Sequence, residues 1–307
     1  MMTLALALGG TWIFLLGATV GSFANVCIYR IALEKSIVWP GSHCPRCLTA
    51  IAFRDNVPIL GWVFLRGKCR SCKLPISVRY PLIEGLAGLL FVAVAYSDLG
   101  GDRFSLEVRD FLRLSYHLLL LSFLLVATFI DFDYFILPDS ITLTGMALGL
   151  AIGAIAPGIR PEPNAAETAW AGFMVGVTGI LVGGGMIWAV RILGRLMTGR
   201  EAMGFGDVTL MAMIGSFLGW QVLPPTLFLG SILGLIQGVY KLARWMQKLM
   251  LRQKSRSSDR ELPFGPYLSM AALILMLAWP WLWKGPLSRF YTSCAQVARF
   301  LATGALE

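Results

Sequence analysis

Long apolar runs recur along the whole chain, and the short polar stretches between them hold almost all of the charge. Eight runs approach the length of a membrane-spanning helix, near residues 5–27, 81–97, 114–131, 139–157, 169–190, 207–221, 224–240 and 265–283. A span needs about 20 mostly apolar residues. Pro224 and Pro225 place a tight turn between two of the shorter runs. The first run has no basic residue before it and is long for a signal-peptide core, so it reads as a retained span. Gly21, Ser22 and Asn25 interrupt that run near its inner end, which suits close helix packing and exit into water.

Composition strengthens this picture. Hydrophobic residues make up 57% of the 307 and charged residues 14%, and the mean hydropathy is +0.71. A soluble globular chain does not have such a balance. The expected fold is an all-α polytopic membrane protein of about eight transmembrane helices with a small zinc-knuckle-like insert. Its expected divisions are a first transmembrane helix (1–28), a four-cysteine insert (29–80), a helical membrane domain (81–283) and an external C-terminal tail (284–307). In that tail, RFYTSCAQVARFLA has the pattern of a short surface helix.

Charge sets the expected orientation. Residues 29–80 carry nine Lys or Arg against two acids, and 241–263 carry seven against two. The positive-inside rule puts 29–80, 191–206 and 241–263 in the cytoplasm and both termini outside. The net charge of +9 is then a topology signal together with contact to anionic membrane lipids. It does not require a nucleic-acid partner.

Five of the six cysteines precede residue 73. HCPRC and KCRSC place Cys44, Cys47, Cys69 and Cys72 with 21 residues between the inner pair. Two CxxC knuckles at this spacing suit a tetrahedral thiolate site for structural zinc. A reducing cytoplasm favours metal over cross-links, and a redox pair or plain thiols are the alternatives. His43 is an alternative ligand, while Cys27 and Cys294 read as packing residues. Four thiolates leave no open position for water, so a catalytic metal is not expected.

Two acids stand out. Asp131 follows LLLLSFLLVATFI and opens DFDYFILPD; Asp207 closes GFGD before another apolar run. A carboxylate beside hydrocarbon is costly unless it is paired, solvated or used in chemistry. Two at one depth suggest a dyad that shares a proton. Gly204 and Gly206 allow unusual backbone or close approach of another segment. Asp133 has an orienting, a substrate-contacting or a merely solvated role. Asp139 suits the N-cap of the following helix, and Glu84 serves either a basic substrate segment or Arg79.

Together GSFANVCIYR, the two knuckles, DNVPILGW, RYPLIEGLAG, IDFDYFILPD, GFGDVTLMAMIGSFLGW and PFGPYL resemble the type IV prepilin leader peptidases, which also serve type II secretion. The resemblance spans nearly the whole chain. It implies a bacterial inner-membrane aspartic peptidase of the GxGD type, with Asp131 and Asp207 catalytic. Such enzymes cut basic leaders of prepilins or pseudopilins after a glycine on the cytoplasmic side. Many also methylate the new N-terminus with S-adenosyl-L-methionine, and the resemblance associates Cys44, Cys47, Cys69 and Cys72 with a cytoplasmic insert and, in the bifunctional members, with methylation. No methyl-donor loop is recognisable. A peptidase without methyltransferase activity is the nearest alternative. A proton-coupled transporter is a more distant one, since it would favour broken helices around a midplane site. A non-catalytic assembly scaffold is a third.

Overall fold

A computed structural model describes residues 2–99, 107–161, 165–199, 203–250, 263–293 and 296, without the side chains of 2–7, 248 and 249. Its described helices are α1 (Met2–Ile31), α2 (Leu60–Phe64), α3 (Arg79–Leu99), α4 (Val108–Tyr134), α5 (Asp139–Ile155), α6 (Ala169–Thr198), α7 (Phe205–Leu218), α8 (Leu223–Met250) and α9 (Gly265–Leu282). No β-strand occurs among these residues. The expected surface helix in the tail and Cys294 lie largely outside them.

Six helices are long and apolar enough to cross a membrane, while α5 and α7 are shorter apolar helices. The expected eight runs are therefore present as helices, but eight full spans are not established. The difference is clearest at α7. Its 14 residues are too few for a spanning helix, and every residue from Asp207 to Leu218 is buried. This helix is enclosed by its neighbours and has little contact with lipid.

Small residues make that enclosure possible. On α6 the buried positions Gly172, Gly176, Gly179, Gly183 and Ile187 recur at three- and four-residue steps, so they form one seam. A Cβ at Gly183 would stand 2.5 Å from the Met211 carbonyl of α7, and the Gly179 and Gly215 backbones face each other directly. In the same way a Cβ at Gly21 of α1 would stand 2.8 Å from the Ala87 Cβ and 2.9 Å from the Glu84 Cα of α3. Close backbone approach replaces the hydrophobic driving force that membrane helices lack.

One buried cation fixes the far end of the bundle. The Arg160 guanidinium donates to the carbonyls of Gly153 (3.2 Å), Gly172 (2.5 Å), Gly149 (3.2 Å) and Ser216 (2.9 Å). The Tyr116 hydroxyl donates to Gly149 and Ser216 at 2.9 and 3.3 Å. The last-turn carbonyls of α5 and α7 thus gain partners, and the negative helix ends face the positive charge. With that end fixed, α4 and α7 present their opposite ends, bearing Asp131 and Asp207, to a common place.

Candidate active site

Asp131 lies in the last turn of α4 and is buried. The helix stops at Phe135, whose left-handed backbone (φ 55) lets its N–H close on the Asp131 carbonyl. Asp133, two residues on, projects from another side and is gripped by Arg79 through bonds of 2.8 and 2.5 Å. The Arg79 guanidinium also lies over the Phe129 ring at 5.5 Å. Arg79, one of the two alternative partners for Glu84, is engaged by Asp133 instead. Arg79 and Glu84 stand five positions apart on α3, which turns them about 140° from each other, whereas side chains meet at steps of three or four.

Asp207 is the third residue of α7. Its carboxylate accepts a backbone hydrogen bond from Gly204, the N-cap residue, which forms half of a capping box. Gly204 takes ordinary extended backbone (φ −70, ψ 156), and Gly206 is absent from the positive-φ residues. Neither glycine of GFGD therefore has unusual backbone, and close approach is required at Gly206 alone, since a Cβ at Gly204 would meet nothing nearer than 3.8 Å. A Cβ at Gly206 would meet the Leu137 Cβ at 2.5 Å and its carbonyl oxygen at 3.3 Å, so GFGD and the ILPD turn interlock.

A third segment completes the site. The Gly265 N–H, at the start of α9, bonds the Asp131 carboxylate, and the Asp207 charge acts on that same carboxylate. A Cβ at Gly265 would lie 2.6 Å from Asp131 Oδ2 and 3.0 Å from Leu137 Cδ1. The positive start of α9 thereby faces a carboxylate that otherwise sits at the unfavourable C-terminal end of α4. Leu137 packs between both glycine loops. Behind Asp207, Thr142 donates to the Thr209 hydroxyl at 3.1 Å and Thr209 donates to the Gly206 carbonyl at 3.0 Å.

From sequence, Gly265 is expected only to stiffen a loop end and Leu137 to lie in a turn, and Thr142 and Thr209 have no expected role at the site. The motif PFGPYL and two threonines inside apolar runs were the available signals. Asp139 differs from its expected place: Pro138 takes the cap position (φ −67, ψ 131) and Asp139 is the first helical residue. The fixed φ of proline suits a helix boundary, and Asp139 still faces the positive helix end. Glu84 is buried and accepts from the Ile59 N–H at 2.7 Å and from the Ser22 side chain. It thus ties the insert to α1 and α3.

The four cysteines of the insert converge. Their sulfur atoms all lie within 4.8 Å of one another, with Cys44–Cys72 and Cys47–Cys69 each at 3.9 Å. A tetrahedron with zinc–sulfur bonds of about 2.3 Å has edges of about 3.8 Å, so the donor set fits zinc in identity, number and spacing. The two knuckles repeat with an offset of 25 residues. Leu48 N–H bonds the Cys44 carbonyl at 2.9 Å as Lys73 N–H bonds that of Cys69 at 3.0 Å. Both Leu48 and Lys73 have left-handed backbone, at φ 57 and 59, and bridges join His43 to Ala50 and Lys68 to Pro75. Hydrogen bonds from Thr49 push the Cys47 thiol down to about 6, which favours the thiolate a metal binds. His43 does not join the cluster; its Nδ1 pairs with the Gly41 carbonyl at 2.9 Å.

The rest of the insert is braced by charge. Arg70 grips Asp55 at 2.7 and 2.5 Å and holds its carboxyl below the usual carboxylate range. The buried Arg30 at the end of α1 donates to the carbonyls of Ser36 (3.1 Å) and Gly41 (3.2 Å), which fixes the path into the first knuckle.

Residues 15–97 match the bacterial peptidase A24 N-terminal domain, and residues 118–239 match the type IV leader peptidase family. A prepilin leader peptidase/N-methyltransferase of Pseudomonas putida is 37% identical over 284 residues, covering 85% of this chain and 88% of that protein. This chain belongs to the type IV leader peptidase family. Relatives carrying the same name in Aeromonas hydrophila and Klebsiella pneumoniae are 34% and 40% identical, over 94% and 73% of this chain and 98% and 91% of theirs. No solved structure matches the chain. The first family segment contains the insert and the α1–α3 pair, and the second contains both aspartates. The bond from Ile59 to Glu84 lies within the first segment, and the grip of Arg79 on Asp133 joins the two.

Proposed function

We propose that this family member is a membrane aspartic endopeptidase that removes the basic leader of type IV prepilins or pseudopilins. Cleavage falls after a glycine on the cytoplasmic side, and the new N-terminus is then methylated from S-adenosyl-L-methionine. The observation that carries the peptidase reading is the pairing of two buried carboxylates, Asp131 and Asp207, against the glycine loops of α7 and α9. The names of the relatives support both activities.

Asp131 and Asp207 share one proton, because two adjacent charges in a desolvated site cannot both persist cheaply. The ionised member takes a proton from water, whose oxygen attacks the scissile carbonyl. The protonated member donates to the carbonyl oxygen, and a proton returned to the leaving nitrogen completes cleavage. Backbone N–H groups of Gly204 and Gly265 hold the two carboxylates in place without adding a titratable group. The basic leader is drawn by the acids at this end of the bundle. Since Arg79 already neutralises Asp133, the exposed Asp139 is left for that attraction.

The order of the two reactions follows from chemistry: the α-amine exists only after the peptide bond is cut. S-adenosyl-L-methionine supplies a methyl group already activated as a sulfonium. Cys44, Cys47, Cys69 and Cys72 would hold a structural zinc, whose binding energy folds a 50-residue insert with few core residues of its own. The charge distribution supports a multi-pass protein of the bacterial inner membrane with the dyad near the cytoplasmic face. The test is incubation of purified protein with a prepilin and labelled S-adenosyl-L-methionine, followed by mass mapping of the product N-terminus. Cleavage after glycine plus one methyl group is expected. Cleavage without label would remove the methyltransferase and leave the peptidase.

A further inference from the structure

The short helix α2 is built with an outward apolar face. Leu60, Val63 and Phe64 follow a step of three and then one, so they share a side, and they are 48%, 53% and 76% exposed. The opposite side is firmly held. Gly61 is pressed against the Asp55 carbonyl, the Trp62 ring lies on Gly67, and Trp62 Nε1 donates to the Ile76 carbonyl at 3.1 Å. The exposure is therefore a fixed feature of the insert.

The depth of α2 follows from its attachment. Ile59, its N-cap, donates to Glu84 at 2.7 Å, and its side chain reaches Gly85. Glu84 lies five residues into α3, about 7.5 Å along its axis at 1.5 Å per residue. As α3 has 21 residues, its length of about 31 Å matches the hydrocarbon thickness of a bilayer. The start of α2 thus lies about 7.5 Å inside the acyl boundary, within the depth of about 5–10 Å to which in-plane amphipathic helices bury their apolar side.

Charge identifies the occupant. Arg54 precedes α2, and Arg66 and Lys68 follow it, all three exposed. An acidic lipid surface complements this flank, whereas a basic leader peptide is repelled by it. We propose that α2 is an in-plane anchor that docks on acidic phospholipid of the leaflet beside the carboxylate pair. Leu60, Val63 and Phe64 enter the acyl region, and Arg54, Arg66 and Lys68 lie among the headgroups. Glu84 then fixes the four-cysteine insert at one height on α3, which Arg79 and Asp133 connect to α4.

Photo-cross-linking of the full-length protein tests this. Phe64→p-benzoylphenylalanine protein is placed in nanodiscs containing phosphatidylglycerol, irradiated and weighed intact. Leu89, exposed on α3, is the lipid-facing reference position, and Ser71, exposed on the second knuckle, the aqueous one. Position 64 should give phospholipid adducts in at least half the yield of position 89 and at least five times that of position 71. Exchange for a neutral phospholipid should lower the yield at 64 threefold or more and leave that at 89 unchanged. A yield at 64 no greater than at 71, or an adduct to added prepilin in place of lipid, overturns the proposal. Equal yields in acidic and neutral lipid overturn its charge component. None of these readings depends on peptidase activity, so they stand or fall apart from the function proposed above.

Discussion

Replacing Gly265 by alanine drives a methyl group into the Asp131 carboxylate. The added carbon would stand 2.6 Å from Oδ2, 3.5 Å from Cγ and 3.0 Å from Leu137 Cδ1. Ordinary contact begins at 3.4 Å, so the overlap with Oδ2 is about 0.8 Å. The backbone has little room to retreat, because Pro266 follows directly and Tyr267, Leu268 and Ser269 are buried. The carboxylate must therefore rotate or shift by most of that overlap. A misplacement of about 1 Å costs roughly 100-fold in rate, or about 2.7 kcal/mol of transition-state stabilisation. Overpacking costs a further 1–3 kcal/mol or so of stability. Steady-state cleavage of a prepilin in detergent, with thermal unfolding of the same preparation, separates the two effects. We expect kcat to fall by about two orders of magnitude at little changed KM in protein that remains folded. Gly185→Ala is the control, since nothing lies within 4 Å of that position. A folded Gly265→Ala protein with near-normal kcat would refute the view that α9 positions Asp131.

Replacing both Cys44 and Cys72 by serine should remove about one tightly bound zinc, read by metal analysis, and loosen the insert to proteolysis while membrane insertion persists. Asp133→Asn should keep cleavage within several-fold of normal, because the Arg79 pair is partly exposed and such pairs contribute about 1 kcal/mol or less; turnover measurements check this. Thr209→Val should cost about 1–3 kcal/mol in unfolding experiments, since it removes the acceptor of the buried Thr142 hydroxyl and the donor to Gly206.

The parts of this protein written in local pattern were legible in its sequence. Asp131 and Asp207 stood out because charge beside apolar runs is rare, and the four cysteines because a knuckle repeats in the chain as it does in space. The contacts missed are made between distant segments. Gly265 meets Asp131 across more than a hundred residues, and Thr142 meets Thr209 across 67; neither composition nor spacing reveals such pairings. Glu84 was visible as a carboxylate near a span, but its partner is a backbone N–H of the insert, which has no sequence signature. The count of eight spans is not settled at α7, because hydropathy cannot distinguish lipid from other helices as the apolar surroundings of a short helix. The contact of the α6 glycine seam with α7 is visible only once the helices are packed.

The central claim is that Asp131 and Asp207 form a single proton-transfer unit. Its most direct test is leader cleavage by purified Asp131→Asn and Asp207→Asn proteins, each verified to be folded and to retain its metal content. Asparagine keeps the size of the side chain but removes the titrating proton, so each variant should lose cleavage to the limit of detection. Both should still methylate a pilin supplied with its leader already removed. Near-normal turnover of an intact prepilin by either variant would contradict the account.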